Sequence, residues 1–69
     1  MKIDVGQLRK WKLSVTGSGG AMFQVIRMGN VAAEGQEHVI VDLLFSDGQI
    51  TRNWDAIYID ANSVDLTET

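Results

Sequence analysis

The pair Asp47-Gly48 constrains the fold of this chain more than any other feature. It separates two runs rich in β-branched and aromatic residues, residues 39–45 and 49–54. Two such runs joined by Asp-Gly predict a β-hairpin with a type I′ turn, because both central residues of that turn need positive φ angles. The hairpin supports the prediction that the whole chain is a small all-β domain.

Apolar residues recur at every second position in several short runs, which is the pattern of half-buried strands. A glycine-rich loop at 16–20 and a connection at 29–36 separate the first three of these runs. The five predicted strands cover residues 7–15, 21–28, 37–46, 49 onward and 64–66.

The fourth strand poses a problem of parity, because Ile50 and Trp54 alternate out of phase with Ile57 and Ile59. A bulge or sharp bend near Asp55-Ala56 is expected to re-aim the side chains, and a short 3₁₀ turn should follow at 60–63, before the last strand. The predicted core consists of Phe23, Val25, Val39, Val41, Leu43, Phe45, Ile57, Ile59 and Leu66.

The small size of the chain limits its stability as a monomer. Its 69 residues make one domain, and a chain of this length buries only roughly 60% of its unfolded surface. Disulfides, metals or oligomerisation usually compensate. The sequence has no cysteine and a single histidine, so disulfides and thiolate or histidine-rich metal sites are excluded. We therefore expect no cofactor and a compact core combined with self-association.

Five short strands, the Phe45-Ser46-Asp47-Gly48 turn, the bent strand through Trp54 and the segment 59–66 resemble the SH3-like small β-barrels. That group includes Tudor-type and KOW-type modules and short bacterial and phage proteins. The resemblance covers roughly residues 5–66. It implies one five-stranded SH3-like barrel over residues 1–69, with a polar tail at Thr67–Thr69, and a binding role rather than a particular ligand.

Charge is unevenly distributed along the chain. Residues 1–27 contain five basic groups and one acidic group, whereas residues 28–69 contain one basic group and eight acidic ones. The two halves either neutralise each other across the sheet or form a dipolar surface that attracts a partner. The start of the chain lacks the apolar stretch of a secretory signal, and no run approaches the roughly 20 apolar residues that span a bilayer, so a cytoplasmic protein without membrane contact is expected.

Candidate catalytic groups are few. His38 would need a nearby serine and a carboxylate to form a nucleophile–base pair, and nothing in the spacing suggests one. The loop at 16–20 lacks the lysine and the following helix of a phosphate-binding loop. We predict that the protein is not an enzyme, with no catalytic, cofactor-binding or metal-binding residues. An enzyme whose site forms only between subunits is left open.

Apolar and aromatic side chains beyond the core predict contact surfaces. The expected function is that of a small protein-interaction module, an adaptor or regulator of bacterial, phage or mobile-element origin, whose partner is protein and in the first place the chain itself. Nucleic-acid binding through Arg9-Lys10-Trp11-Lys12 is the alternative, disfavoured by a pI near 4.7. The candidate binding residues are Trp11, Trp54 and Tyr58. The candidate self-association residues are Met22, Ile26, Met28, Ile40 and Leu44.

Overall fold

The computed structural model describes residues 3–12 and 20–67, which form one antiparallel sheet and one short helix. The sheet has the strand order β4-β3-β2-β1-β5. No pairing between β4 and β5 occurs within the described residues, so the sheet is open, and α1 packs against β3, β4 and β5. The predicted all-β class with five strands is confirmed. The elements are β1 (Leu8–Trp11), β2 (Met22–Ala33), β3 (Gln36–Phe45), β4 (Ile50–Asp55), α1 (Ala56–Asn62) and β5 (Ser63–Asp65).

The predicted Asp47-Gly48 hairpin joins β3 to β4, but its turn is not of type I′. Of the pair Asp47-Gly48, only Gly48 has a positive φ angle, 89°. The Gly48 N–H donates to the Phe45 carbonyl at 2.9 Å, and the Phe45 N–H donates to the Gln49 carbonyl at 2.9 Å. This pattern is that of a longer loop, in which a tight turn is followed by a left-handed glycine that forms a bulge.

A second hairpin replaces the loop that was expected over residues 29–36. β2 continues to Ala33 and β3 begins at Gln36, so only Glu34-Gly35 connects them. Both connecting residues have positive φ angles, 53° and 75°, as a type I′ turn requires. The sequence signal was misread here because Glu-Gly is a weaker turn signal than Asp-Gly, and because the preceding Val-Ala-Ala could equally start a helical turn.

The core lies between one face of the sheet and α1. The buried apolar residues include five of the predicted core members, and Val39 and Phe45 pack against them half-buried. Ile57 and Leu66 were predicted wrongly, since both are exposed, Ile57 to 68%. The buried apolar side chains are Ile3, Trp11, Phe23, Val25, Val41, Leu43, Ala56 and Ile59.

The parity problem after Trp54 is solved by a change of secondary structure and not by a bend in a continuing strand. β4 ends at Asp55, whose Oδ1 accepts the Ile57 N–H at 3.0 Å and thereby caps the first turn of α1. In the helix, residues three apart share a face, so Ala56 and Ile59 are buried and Ile57 points away. The expected 3₁₀ turn at 60–63 is the end of this helix.

Two irregularities in pairing flank Asp42 on β3. On one side, β2 inserts an extra residue between Val25 and Arg27, and on the other, β4 inserts one between Thr51 and Trp54. The bulge on β2 reverses the parity of the strand, so Met28 pairs with Val41 and packs against the core. The uninterrupted alternation predicts that Met28 shares a face with Met22. This prediction is wrong, because the bulge turns Met28 to the core side.

Candidate functional site

The face of the sheet that points away from the core bears several exposed apolar side chains. We call it the outer face and define it by Leu8, Met22, Leu44, Ile50 and Val64. Leu8, Ile50, Met22 and Val64 are between 41% and 45% exposed, and Leu44 is half-buried. Antiparallel sheets normally place polar residues on the solvated face. On the outer face, apolar side chains instead come from all five strands.

Strand register places the members of the outer face beside one another. Leu8 pairs with Gln24, Gln24 with Leu44, and Leu44 with Ile50, so that these four residues form one row across the sheet. Lys10 pairs with both Met22 and Val64 in the neighbouring row. Apolar residues from distant parts of the sequence therefore lie close together, with Gln24 between Leu8 and Leu44 and Lys10 between Met22 and Val64.

A groove of about 370 Å³ lies at the end of the outer face nearest the β3–β4 turn. Its walls come from β1, β2 and β3 and from the turn. The lining residues are Leu8, Met22, Phe23, Gln24, Leu44, Phe45, Ser46 and Gly48.

Arg27, Asp42 and Arg52 form a charged row on the other side of Leu44. Asp42 is only 3% exposed, and its Oδ1 accepts the Asn53 N–H at 3.0 Å. Its Oδ2 lies 3.5 Å from Arg27 Nη1 and 3.8 Å from Arg52 Nη1. Both arginine side chains are 66% exposed. One buried carboxylate therefore holds two guanidinium groups at the surface, which leaves one excess positive charge in this row.

The candidate self-association residues are placed unequally. Met22 and Leu44 line the groove, Ile26 is exposed at the β2 bulge, and Ile40 is half-buried beside Asp55 of β4. Met28 is turned to the core. Sequence reasoning missed Leu8, Ile50 and Val64. For Leu8 the signal existed, since it shares the parity of Lys10 and Lys12 on the exposed side of β1.

The candidate binding residues Trp11, Trp54 and Tyr58 come together in one aromatic cluster. The Trp54 and Tyr58 rings are stacked with centroids 6.0 Å apart and an interplanar angle of 18°. Trp11 packs edge-on against both, at 5.8 Å and 6.3 Å. Trp54 Nε1 donates to Thr51 Oγ1 at 2.6 Å, which fixes the indole. Trp11 is buried and Tyr58 is exposed, so the cluster runs from the core to the surface.

The basic segment at residues 9–12 is largely occupied by contacts within the chain. Arg9 is buried, and its Nε donates to Ser63 Oγ at 2.8 Å while its Nη1 donates to Gln7 Oε1 at 3.0 Å. Lys12 Nζ donates to the Ala61 carbonyl at 2.9 Å. Two of the four side chains, Arg9 and Trp11, thus face the interior of the protein.

The remaining candidates for catalysis or ligand binding are His38, groups of metal-ligating side chains and the glycine-rich loop. His38 is half-buried on β3, where it pairs with Val31. Within residues 3–12 and 20–67, no group of three or more histidine, aspartate or glutamate side chains could hold a metal ion. The glycine-rich loop lies outside the described residues except for Gly20.

Among the residues that the structure describes, no helix has the length and apolar character needed to cross a bilayer. Comparisons with protein-family models, with curated proteins and with solved structures gave no match.

Proposed function

We propose that this protein is a small, non-enzymatic protein-interaction module of the SH3-like kind that self-associates through its outer face. The SH3-like assignment is supported by the pairing of the first and last strands, with Arg9 opposite Asp65, and by the short helical link from β4 into β5. In a cell it would act as an adaptor or regulator in the cytoplasm.

The observation on which self-association depends is the group of exposed apolar side chains on the outer face. Burying apolar surface contributes roughly 25 cal/mol per Å². A small open sheet has one interior, and α1 packs on the core side, so the outer face gains this contribution only from a partner. A 69-residue chain also has more to gain from a partner than a larger domain does, because its own core is small.

Nucleic-acid binding through residues 9–12 ranks below this proposal. Phosphate neutralisation supplies most non-specific affinity, and it needs accessible cations. Arg9 is used inside the protein and Trp11 is buried, which leaves Lys10 and Lys12 in a chain of net charge −3. The stacked Trp54–Tyr58 pair is the second candidate surface, and a protein segment suits it better than phosphate because aromatic rings favour apolar contact.

The test is the mass of the protein in solution, measured by sedimentation equilibrium from micromolar to millimolar concentration. The wild type should exceed the monomer mass of 7.6 kDa. Met22→Lys/Ile50→Lys should remain folded, since both side chains are exposed, and should be monomeric.

The matched control is Ile57→Lys, which adds the same charge at an exposed isoleucine on α1 and should leave the mass of the wild type unchanged. A wild-type protein that stays at the monomer mass throughout would overturn the proposal. So would a double variant that self-associates like the wild type.

A further inference from the structure

We infer that the partner of the outer face is a second copy of this chain, packed face to face in one antiparallel register, with Asp47 of each copy against Arg27 and Arg52 of the other. The inference rests on the proposed self-association and specifies its geometry. It is carried by charge complementarity between the two ends of the same face.

The first part of the argument is the charged row at one end. Arg27 and Arg52 reach the same oxygen of Asp42 from neighbouring strands, at 3.5 Å and 3.8 Å. These distances are long for charge-assisted hydrogen bonds, which are nearer 2.8 Å. With Asp42 buried and also bonded to the Asn53 N–H, the two exposed guanidinium groups retain donors and one net positive charge for an external anion.

The second part is the acidic turn at the opposite end. Asp47 is exposed at the β3–β4 turn, between Ser46 and Gly48, which line the groove. Its Oδ1 accepts the Gln49 N–H at 2.9 Å, which fixes the carboxylate at the tip of the turn. Asp42 lies on β3 two residues before Leu44, and Asp47 lies in the turn that follows β3, three residues after Leu44. The positive and negative groups thus flank the apolar row on opposite sides.

This arrangement is what an isologous dimer needs, because a two-fold axis brings one end of a patch against the other end of its copy. An axis that follows the row of Leu8, Gln24, Leu44 and Ile50 reverses the strands and leaves the row facing itself. At roughly 3.3 Å per residue along β3, Asp42 is about 7 Å from that row, and Asp47 lies in the turn on the other side of it.

A free acidic segment of another protein would satisfy the arginines but would leave the apolar row and Asp47 without a matched counterpart. A second copy supplies both at once, since its apolar row meets the apolar row and its turn meets the arginines. The self-complementary pattern therefore favours the homodimer.

The first test removes one charge and keeps the turn. Asp47→Asn retains an oxygen that can accept the Gln49 N–H, and it should raise the dimer dissociation constant by roughly two- to thirtyfold, because an exposed ion pair is weak but occurs twice in the dimer. The matched control is Glu37→Gln, an exposed acid of β3 that pairs with Ala32 beyond the outer face, and it should leave the constant unchanged.

The second test determines the register by cross-linking. Because the chain has no cysteine, a single introduced cysteine is the only thiol that can react. A residue on the axis faces itself, so Ile50→Cys should be linked into covalent dimers by a short bis-maleimide, whereas Ile57→Cys on α1 should not. Dimers without linkage at position 50 and without an effect of Asp47→Asn would overturn this register while leaving self-association intact. A monomeric wild type would overturn both.

Discussion

At the scale of single residues, Arg9 shows how a charged side chain can serve as part of a core. It lies on the core side of β1 with only 2% exposure, and it pairs with Asp65 of β5. Its guanidinium group donates to Ser63 Oγ and to the Ser63 carbonyl, and Nη2 lies 3.4 Å from Asp60 Oδ1. Buried charges persist only where such partners satisfy them. Arg9 therefore fastens the end of α1 and the start of β5 to the first strand.

We predict that Arg9→Met lowers the free energy of unfolding by about 2–4 kcal/mol, because the methionine keeps much of the packing but leaves the polar groups of Ser63 and Asp60 without their donor. Urea denaturation at a fixed protein concentration measures the change. Lys10→Gln, at the exposed neighbouring position, should change the free energy by no more than about 0.5 kcal/mol. Equal stability of Arg9→Met and the wild type would contradict the structural role.

The sequence could not have revealed this role of Arg9. Its neighbours Lys10 and Lys12 make the segment look like a solvated basic patch, and the alternation puts Arg9 on the same face as Trp11. Placing it inside depends on knowing that Ser63 and Asp60, more than 50 residues away, end a helix beside it. Such long-range satisfaction of a buried charge has no local signature.

At the scale of elements, the Glu34-Gly35 hairpin stores a small amount of backbone strain. Glu34 has a φ angle of 53°, and a left-handed conformation costs an ordinary L-residue roughly 1–2 kcal/mol. Glycine follows it at the other central position, where positive φ is unstrained. Asparagine adopts the left-handed conformation more easily than glutamate, and Asn-Gly is a preferred type I′ pair.

Glu34→Asn should therefore stabilise the protein by about 0.5–1 kcal/mol, which corresponds to a rise in the melting temperature of roughly 2–8 °C for a domain of this size. Circular dichroism during heating measures it. The reference is Glu37→Gln, which removes the same charge from the neighbouring part of β3 without changing a turn. A melting temperature that does not rise would mean that this turn is not of type I′ in solution.

Burial in the strands could be predicted from the sequence, whereas the helix could not. Phe23, Val25, Val41 and Leu43 are buried as their alternation predicted, because period two within one strand is a local property. Ile57 was misassigned because the pattern was read as a strand, whereas Asp55 caps a helix there. A seven-residue helix offers too few turns for the helical period to stand out from alternation.

At the scale of the whole molecule, stability and association should be linked. A partner that binds only the folded state stabilises it in proportion to the logarithm of its concentration. The melting temperature of the wild type should therefore rise as the protein concentration increases from micromolar to millimolar, and the rise should disappear in Met22→Lys/Ile50→Lys. Calorimetry at several concentrations measures both. A melting temperature independent of concentration would argue against the dimer.

The candidate site could be only partly predicted from the sequence for a related reason. Met22 and Leu44 were identified because they lie opposite core residues of the same strand. Their neighbours Leu8 and Ile50 enter the site through pairing between strands, and the β2 bulge removes Met28 from it. Strand register and bulges depend on how the strands pair in the complete sheet. The sequence of one strand therefore does not predict which residues of other strands lie beside it.

Asp42 also bears on the misfolded states that this sheet must avoid. Moving β3 by one residue against its neighbours would turn Val41 and Leu43 to solvent and force the Asp42 carboxylate into the apolar interior. An unpaired charge there costs several kcal/mol. Within the native sheet the same carboxylate has the Asn53 N–H and two arginines. Asp42 thus raises the free energy of slipped strand pairings, from which strand exchange and aggregation begin. It stabilises the native register, in which its carboxylate is paired.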